Sequence, residues 1–172
     1  GPSAVISPRE MMRAAASGRK PVRPVEMTID QIQELEQMYI DAAYRCKRAG
    51  MKICLVHGGH GNLIGQFSSP LYNLRRDEYG GSLENRARFA MNILDGIRKK
   101  CGEDFVIEFR VSADEMHPDG MRFEETKEYL KFLDDKIDIV NVSSGLHTDV
   151  KYFRYWFPNM YMPRMNNVHY AA

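Results

Sequence analysis

The feature that most constrains this chain is an alternation: a segment of helical period followed by a short apolar run, three times over. Thr28 with Gln31 forms a capping-box pattern, in which each side chain satisfies an orphan backbone N–H at a helix start. Ile32, Leu35, Tyr39, Ala42, Cys46 and Ala49 then recur every three or four residues, the apolar stripe of a helix. Gly50 stands where a left-handed cap would end it. Ile53-Cys54-Leu55-Val56 is apolar throughout and too short for a helix, which predicts a strand buried on both faces. Ser82 caps a second helix whose stripe is Phe89, Ile93, Leu94 and Ile97, with Arg98, Lys99 and Lys100 complementing its C-terminal dipole. Phe105 to Val111 is the second predicted strand. A third helix near Phe123–Asp134 precedes the third strand, Ile137 to Val142.

Strands alternating with helices pair in parallel through right-handed crossovers. Helices must cover such a sheet, as a doubly wound open sheet or a (β/α)8 barrel, and pattern alone leaves both open. In either one, chemistry gathers at the C-terminal ends of the strands. Those ends are His57–Gly61, Arg110–Asp114 and Ser143–Gly145. The first 27 residues read as a loop-rich entry with a short helical turn around Pro8–Ala16, residues 28–145 as the alternating body, and residues 146–172 as an aromatic-rich loop.

Composition removes several function classes. Twenty-four basic and 23 acidic residues give a net charge of +1, which offers no electrostatic footprint for nucleic acid. No apolar run approaches the roughly 20 residues that span a bilayer, so neither a nucleic-acid nor a membrane partner is expected, and the expected location is cytoplasmic. Cys46, Cys54 and Cys101 are isolated, giving neither a zinc nor a disulfide framework, and read as buried free thiols.

The strand ends are crowded. His57-Gly58-Gly59-His60-Gly61-Asn62 places two imidazoles three residues apart among glycines, where backbone can pass close to a flat ligand. The pair can donate hydrogen bonds to a substrate oxygen. It can also begin a metal site, with Asp77, Asp114 or His117 as a third ligand, or be structural. Arg110 lies inside an apolar strand, where an unpaired charge is costly. It reads either as half of a salt bridge to Asp114 or Glu108 or as a cation beside an anionic or electron-rich ligand. The polar stretch from His57 to Gly81, about two dozen residues, is long for a compact domain unless it is functional or stitched together by its own charges.

From His57 to Phe89 the chain reads HGGHGNLIGQFSSPLYNLRRDEYGGSLENRARF. This run resembles the strand-four region of the Old Yellow Enzyme and 2,4-dienoyl-CoA reductase family of flavoproteins. Gln66, Phe67, Ser69, Pro70, Asn73, Arg75, Asp77, Tyr79, Gly80, Gly81, Asn85, Arg86, Arg88 and Phe89 fit the family pattern in order and spacing. Gly1-Pro2-Ser3-Ala4, Arg110-Val111-Ser112 and Val142-Ser143-Ser144-Gly145 are similar to family features too.

The resemblance implies an α/β fold, a partial TIM (β/α)8 barrel of approximately strands four to six with their helices. It implies FMN as cofactor and NAD(P)H as reductant, with hydride passing by way of the flavin to an activated C=C bond in an enone, enoate or dienoyl-CoA. By the same resemblance His57 and His60 bind the substrate carbonyl, and His57 and Arg110 contact the flavin. Asn62 stands where many relatives carry a proton-donating tyrosine, which puts the proton source in question; Leu55 replaces an acidic residue, a change that concerns packing. The expectation is an internal piece of a longer barrel. Larger relatives carry 4Fe-4S and FAD domains beyond this region. The rival expectations are a metal-dependent barrel hydrolase using His57 and His60, and a non-catalytic piece that self-associates, as a homo-oligomer, through open barrel edges.

Overall fold

A computed structural model describes all residues except 159, 164, 166 and 172, four positions of the expected aromatic-rich loop that therefore lie outside the described residues. In chain order the elements are α1 (Pro8–Ala16), α2 (Ile29–Arg48), β1 (Ile53–His57), α3 (Leu63–Ser68), α4 (Leu83–Cys101), β2 (Val106–Ser112), α5 (Phe123–Lys131), β3 (Ile139–Ser143) and α6 (Val150–Trp156). Short 3-10 turns follow at Asp134–Lys136 and Val168–Tyr170.

The caps behave as the residues require. Thr28 and Gln31 form the reciprocal capping box of α2, Ser82 accepts the Asn85 N–H at the start of α4, and Gly102 ends α4 at φ 79°. The three strands are parallel in the order β1-β2-β3. This is the expected part of a β/α barrel.

On one face of the sheet, Val56, Ile107, Phe109 and Val111 pack with Ile32 of α2 and with Phe89, Ile93, Leu94 and Ile97 of α4. The other face carries three residues abreast at two levels and two at the next. Leu55, Glu108 and Ile139 lie in register, then His57, Arg110 and Asn141, and Ser112 beside Ser143 above them.

The prediction that the first strand is buried on both faces is corrected here. Ile53 and Leu55 are 44% and 47% exposed, because helices cover only the face carrying Cys54 and Val56. An apolar run reports that both faces avoid water, not which neighbours of this chain cover them. A second correction concerns loops. The stretch after β1 contains α3, and the segment after β3 contains α6. Neither helix has a long apolar stripe, so periodicity misses both. The rest of the first stretch is stitched by Arg75, which donates to both Asp77 oxygens and to the carbonyls of Pro2 at 2.9 Å and Met27 at 2.7 Å. Among the described residues, no helix is long and apolar enough to cross a membrane.

Candidate active site

The parallel register delivers His57, Arg110, Ser112 and Ser143 to one end of the sheet. Gly58 and Gly59 then turn the chain across the end of β2. Their role differs from the ligand contact expected of them. A Cβ on Gly58 would lie 2.2 Å from the Phe109 ring, and one on Gly59 would lie 2.8 Å from the Ser112 nitrogen. The glycines make room for protein, letting the turn fold down onto β2.

That turn carries His60, a non-glycine residue in the left-handed region at φ 60°. Ser112 holds it there, accepting the His60 N–H at 2.8 Å and donating to the Gly145 carbonyl at 3.0 Å. The His60 ring is buried, with Nε2 2.7 Å from Ser143 Oγ and Nδ1 3.3 Å from His57 Nε2. Trp156 of α6 lies against it, ring centroids 5.3 Å apart, and the His147 ring meets the His60 carbonyl.

Both imidazoles are held neutral at physiological pH. Burial pushes the His60 ring down to about 3, with the charges of His57, Arg110 and His147 adding to it. Burial, then Arg110, lowers His57 in the same direction.

Arg110 settles one of the alternatives left open by the residues. Glu108 accepts from Asn141 at 2.5 Å, and Asp114 pairs with Arg122 at 3.0 Å. Neither is paired with Arg110 among the described residues. Its Nη2 reaches Ser143 Oγ at 3.4 Å, while its Nε is buried without a hydrogen-bond partner among the described residues. A buried N–H left unpaired costs about 1–3 kcal/mol, and more when, as here, the group is charged. It is the feature to expect where a ligand completes the site.

The metal reading finds no comparable support. Among the described residues, no three His, Cys, Asp or Glu side chains are grouped to hold an ion. Asp77 is taken up by Arg75, and the His117 ring stacks edge-on against Tyr152. Asn62 precedes α3 and donates its amide to the Gly59 carbonyl at 3.2 Å, holding the turn. His147 was not picked out by sequence reasoning, and Ser112 only as part of Arg110-Val111-Ser112, with no role given to it.

The model of the NADH:flavin oxidoreductase / NADH oxidase family matches residues 1–168. The chain belongs to that family. It is 44% identical over 126 residues to an NADH oxidase of Thermoanaerobacter brockii, an alignment covering 73% of this chain and 19% of that protein. A 2-naphthoyl-CoA reductase solved with 2-naphthoyl-CoA superposes with a TM-score of 0.76 at 36% identity, covering 87% of this chain and 22% of that one. The Old Yellow Enzyme homologue of Zymomonas mobilis gives a TM-score of 0.68 at 25% identity over 83% of this chain and 41% of that one. The chain thus spans about a fifth of the NADH oxidase and of the CoA reductase it matches.

Proposed function

We propose that this chain forms one side of the active site of an FMN-dependent oxidoreductase that transfers hydride from NAD(P)H to an activated C=C bond. The substrate class is an enone, enoate or dienoyl-CoA thioester; a relative solved with an aryl-CoA thioester supports including the thioesters. The observation that carries the reading is Arg110: a buried, unpaired Nε–H at the strand ends of a chain from a flavin oxidoreductase family. Bound FMN would supply the two-electron carrier between NAD(P)H and the alkene. A guanidinium keeps its charge at any working pH and suits the electron-rich edge of such a ring.

His57 and His60, both neutral, are the proposed carbonyl-binding pair, with His57 also near the flavin. Charge developing on a carbonyl oxygen is stabilised best by donors fixed in advance. His60 is locked among Ser112, Ser143 and Trp156, and the half-buried His57 is the ring with room to turn its N–H toward a ligand. Asn62 supports the turn, so the α-carbon proton is assigned to another group or to water.

We also infer that the parent barrel is longer. A groove of about 510 Å³ runs along the unpaired edge of β1 from Tyr39 to His57 and Asn62, with the exposed Leu55 in its wall. Another strand of the same barrel fits that edge. Pairing with a second copy is the competing occupant, and light scattering on the purified chain distinguishes them.

The test of function is titration of the full-length polypeptide with FMN, followed by NAD(P)H oxidation with and without a cyclic enone. The expected results are one FMN per chain and alkene-dependent oxidation. Arg110→Ala should weaken FMN binding about tenfold or more, equivalent to about 1.4 kcal/mol. The 172-residue chain alone should bind FMN only weakly. Flavin-free full-length protein, or oxidation indifferent to alkenes, would overturn the reading.

A further inference from the structure

We propose that Ser143 is a positioning residue which accepts the last N–H of a proton chain running through the His57–His60 pair and ties that pair to Arg110. Among the described residues its hydroxyl contacts both functional units, 2.7 Å from His60 Nε2 and 3.4 Å from Arg110 Nη2. Ser143 is buried at the C-terminal end of β3, in register with Ser112 on β2. The two serines divide the work: Ser112 holds the His60 backbone, and Ser143 holds its ring.

The direction of the protons follows from one fixed donor. A neutral imidazole carries a single N–H, so each ring has one donor and one acceptor nitrogen. The Gly59 backbone N–H faces His57 Nδ1 at 3.5 Å, and a backbone amide can only donate. His57 Nδ1 is then the acceptor, and its proton sits on Nε2. His57 Nε2–H therefore donates to His60 Nδ1 at 3.3 Å. His60 in turn carries its proton on Nε2 and donates it to Ser143 Oγ.

Arg110 shares the same oxygen. A guanidinium has no acceptor, so its Nη2–H also donates to Ser143 Oγ. Ser143 Oγ uses its two lone pairs on His60 and Arg110, which fills its acceptor capacity. Removing the hydroxyl leaves His60 Nε2–H buried without that acceptor. It also takes away the only side-chain acceptor that Arg110 has among the described residues.

Carbonyl binding, which requires these N–H groups to turn from their protein acceptors to the ligand, rests on the flavoenzyme reading above; the proton order itself does not. The experiment is long-range ¹H–¹⁵N correlation on the full chain with ¹⁵N-labelled histidine, without FMN. Resonances are assigned through His57→Asn and His60→Asn. The native chain should show both rings as single Nε2–H tautomers. Ser143→Ala should move the His60 Nε2–H resonance upfield and speed its exchange with water, and Ser143→Thr, which restores a hydroxyl at the same place, should return both toward the native values. A native His60 protonated on Nδ1 would overturn the proposal, as would a Ser143→Ala chain with an unchanged His60 Nε2–H resonance and exchange. If Ser143→Ala does not fold, the native tautomers and the Ser143→Thr spectrum still decide it. FMN titration of the same proteins is read separately. Failure to bind flavin with the tautomers as expected would sink the proposed function and leave the proton order standing.

Discussion

On the helix-covered face of the sheet, Ile107, Phe109 and Val111 are at most 1% exposed and pack in the apolar core. One residue along the same strand, on the other face, Arg110 is left with an unpaired buried Nε, and His60 beside it sits at φ 60° with its ring forced neutral. In the first region the strand residues satisfy their local preferences, and the polar atom left over beside them is the Tyr129 hydroxyl, buried without a partner among the described residues. The second violates three within a few ångströms, and such violations collect where a protein keeps a functional site. The difference teaches that stability and function are separable here along a single strand.

The sharpest way to break this comparison is Phe109→Ala. Phe109 is fully buried beneath Gly58, so a cavity there should cost about 3–5 kcal/mol in a denaturant titration. A cost near zero would mean that the helix-covered face is not the stabilising one.

Glu115 tests the strand-end side. It lies just past β2 and accepts from Ser69 Oγ and the Met121 N–H, both at 2.7 Å, so it ties α3 to the loop before α5. Burial pushes its carboxyl up from 4.5 to about 7. The folded chain keeps that proton until about pH 7, while the unfolded chain releases it near pH 4.5. Stability therefore falls as pH rises through that window, by up to about 3 kcal/mol. Glu115→Gln should flatten this slope, as read from melting curves between pH 5 and about pH 8.

Thr28→Ala removes half of the capping box and should cost about 1 kcal/mol. Arg110→Ala should have the smallest effect on stability, within about 1 kcal/mol of zero, because the lost Nη2–Ser143 hydrogen bond is offset by removal of the unpaired buried Nε–H. A large loss of stability on Arg110→Ala would dissolve the distinction between the two regions.

Much of this was legible in the residues. The caps at Thr28, Gly50 and Ser82, the three parallel strands and the short helix at Pro8–Ala16 all follow from local signals. The strand ends were legible as the place for chemistry, and the run from His57 to Phe89 pointed to the family. Two helices were not, because α3 and α6 are six and seven residues long and too short to show a period. The roles of Gly58 and Gly59 were misread, since a glycine's neighbours across the sheet cannot be inferred from its neighbours in the chain.

The sequence by itself determined α1, α2, α4, α5 and the three strands, that the strands run parallel, and which family the chain resembles. These depend on periodicity, caps and spacing, all local properties of the chain. Only the tertiary structure decided that Arg110 has neither Glu108 nor Asp114 as a partner, and that Ser143 joins it to His60. Those facts depend on register, because a hydrogen bond between residues 60 and 143 exists only once β2 and β3 have aligned.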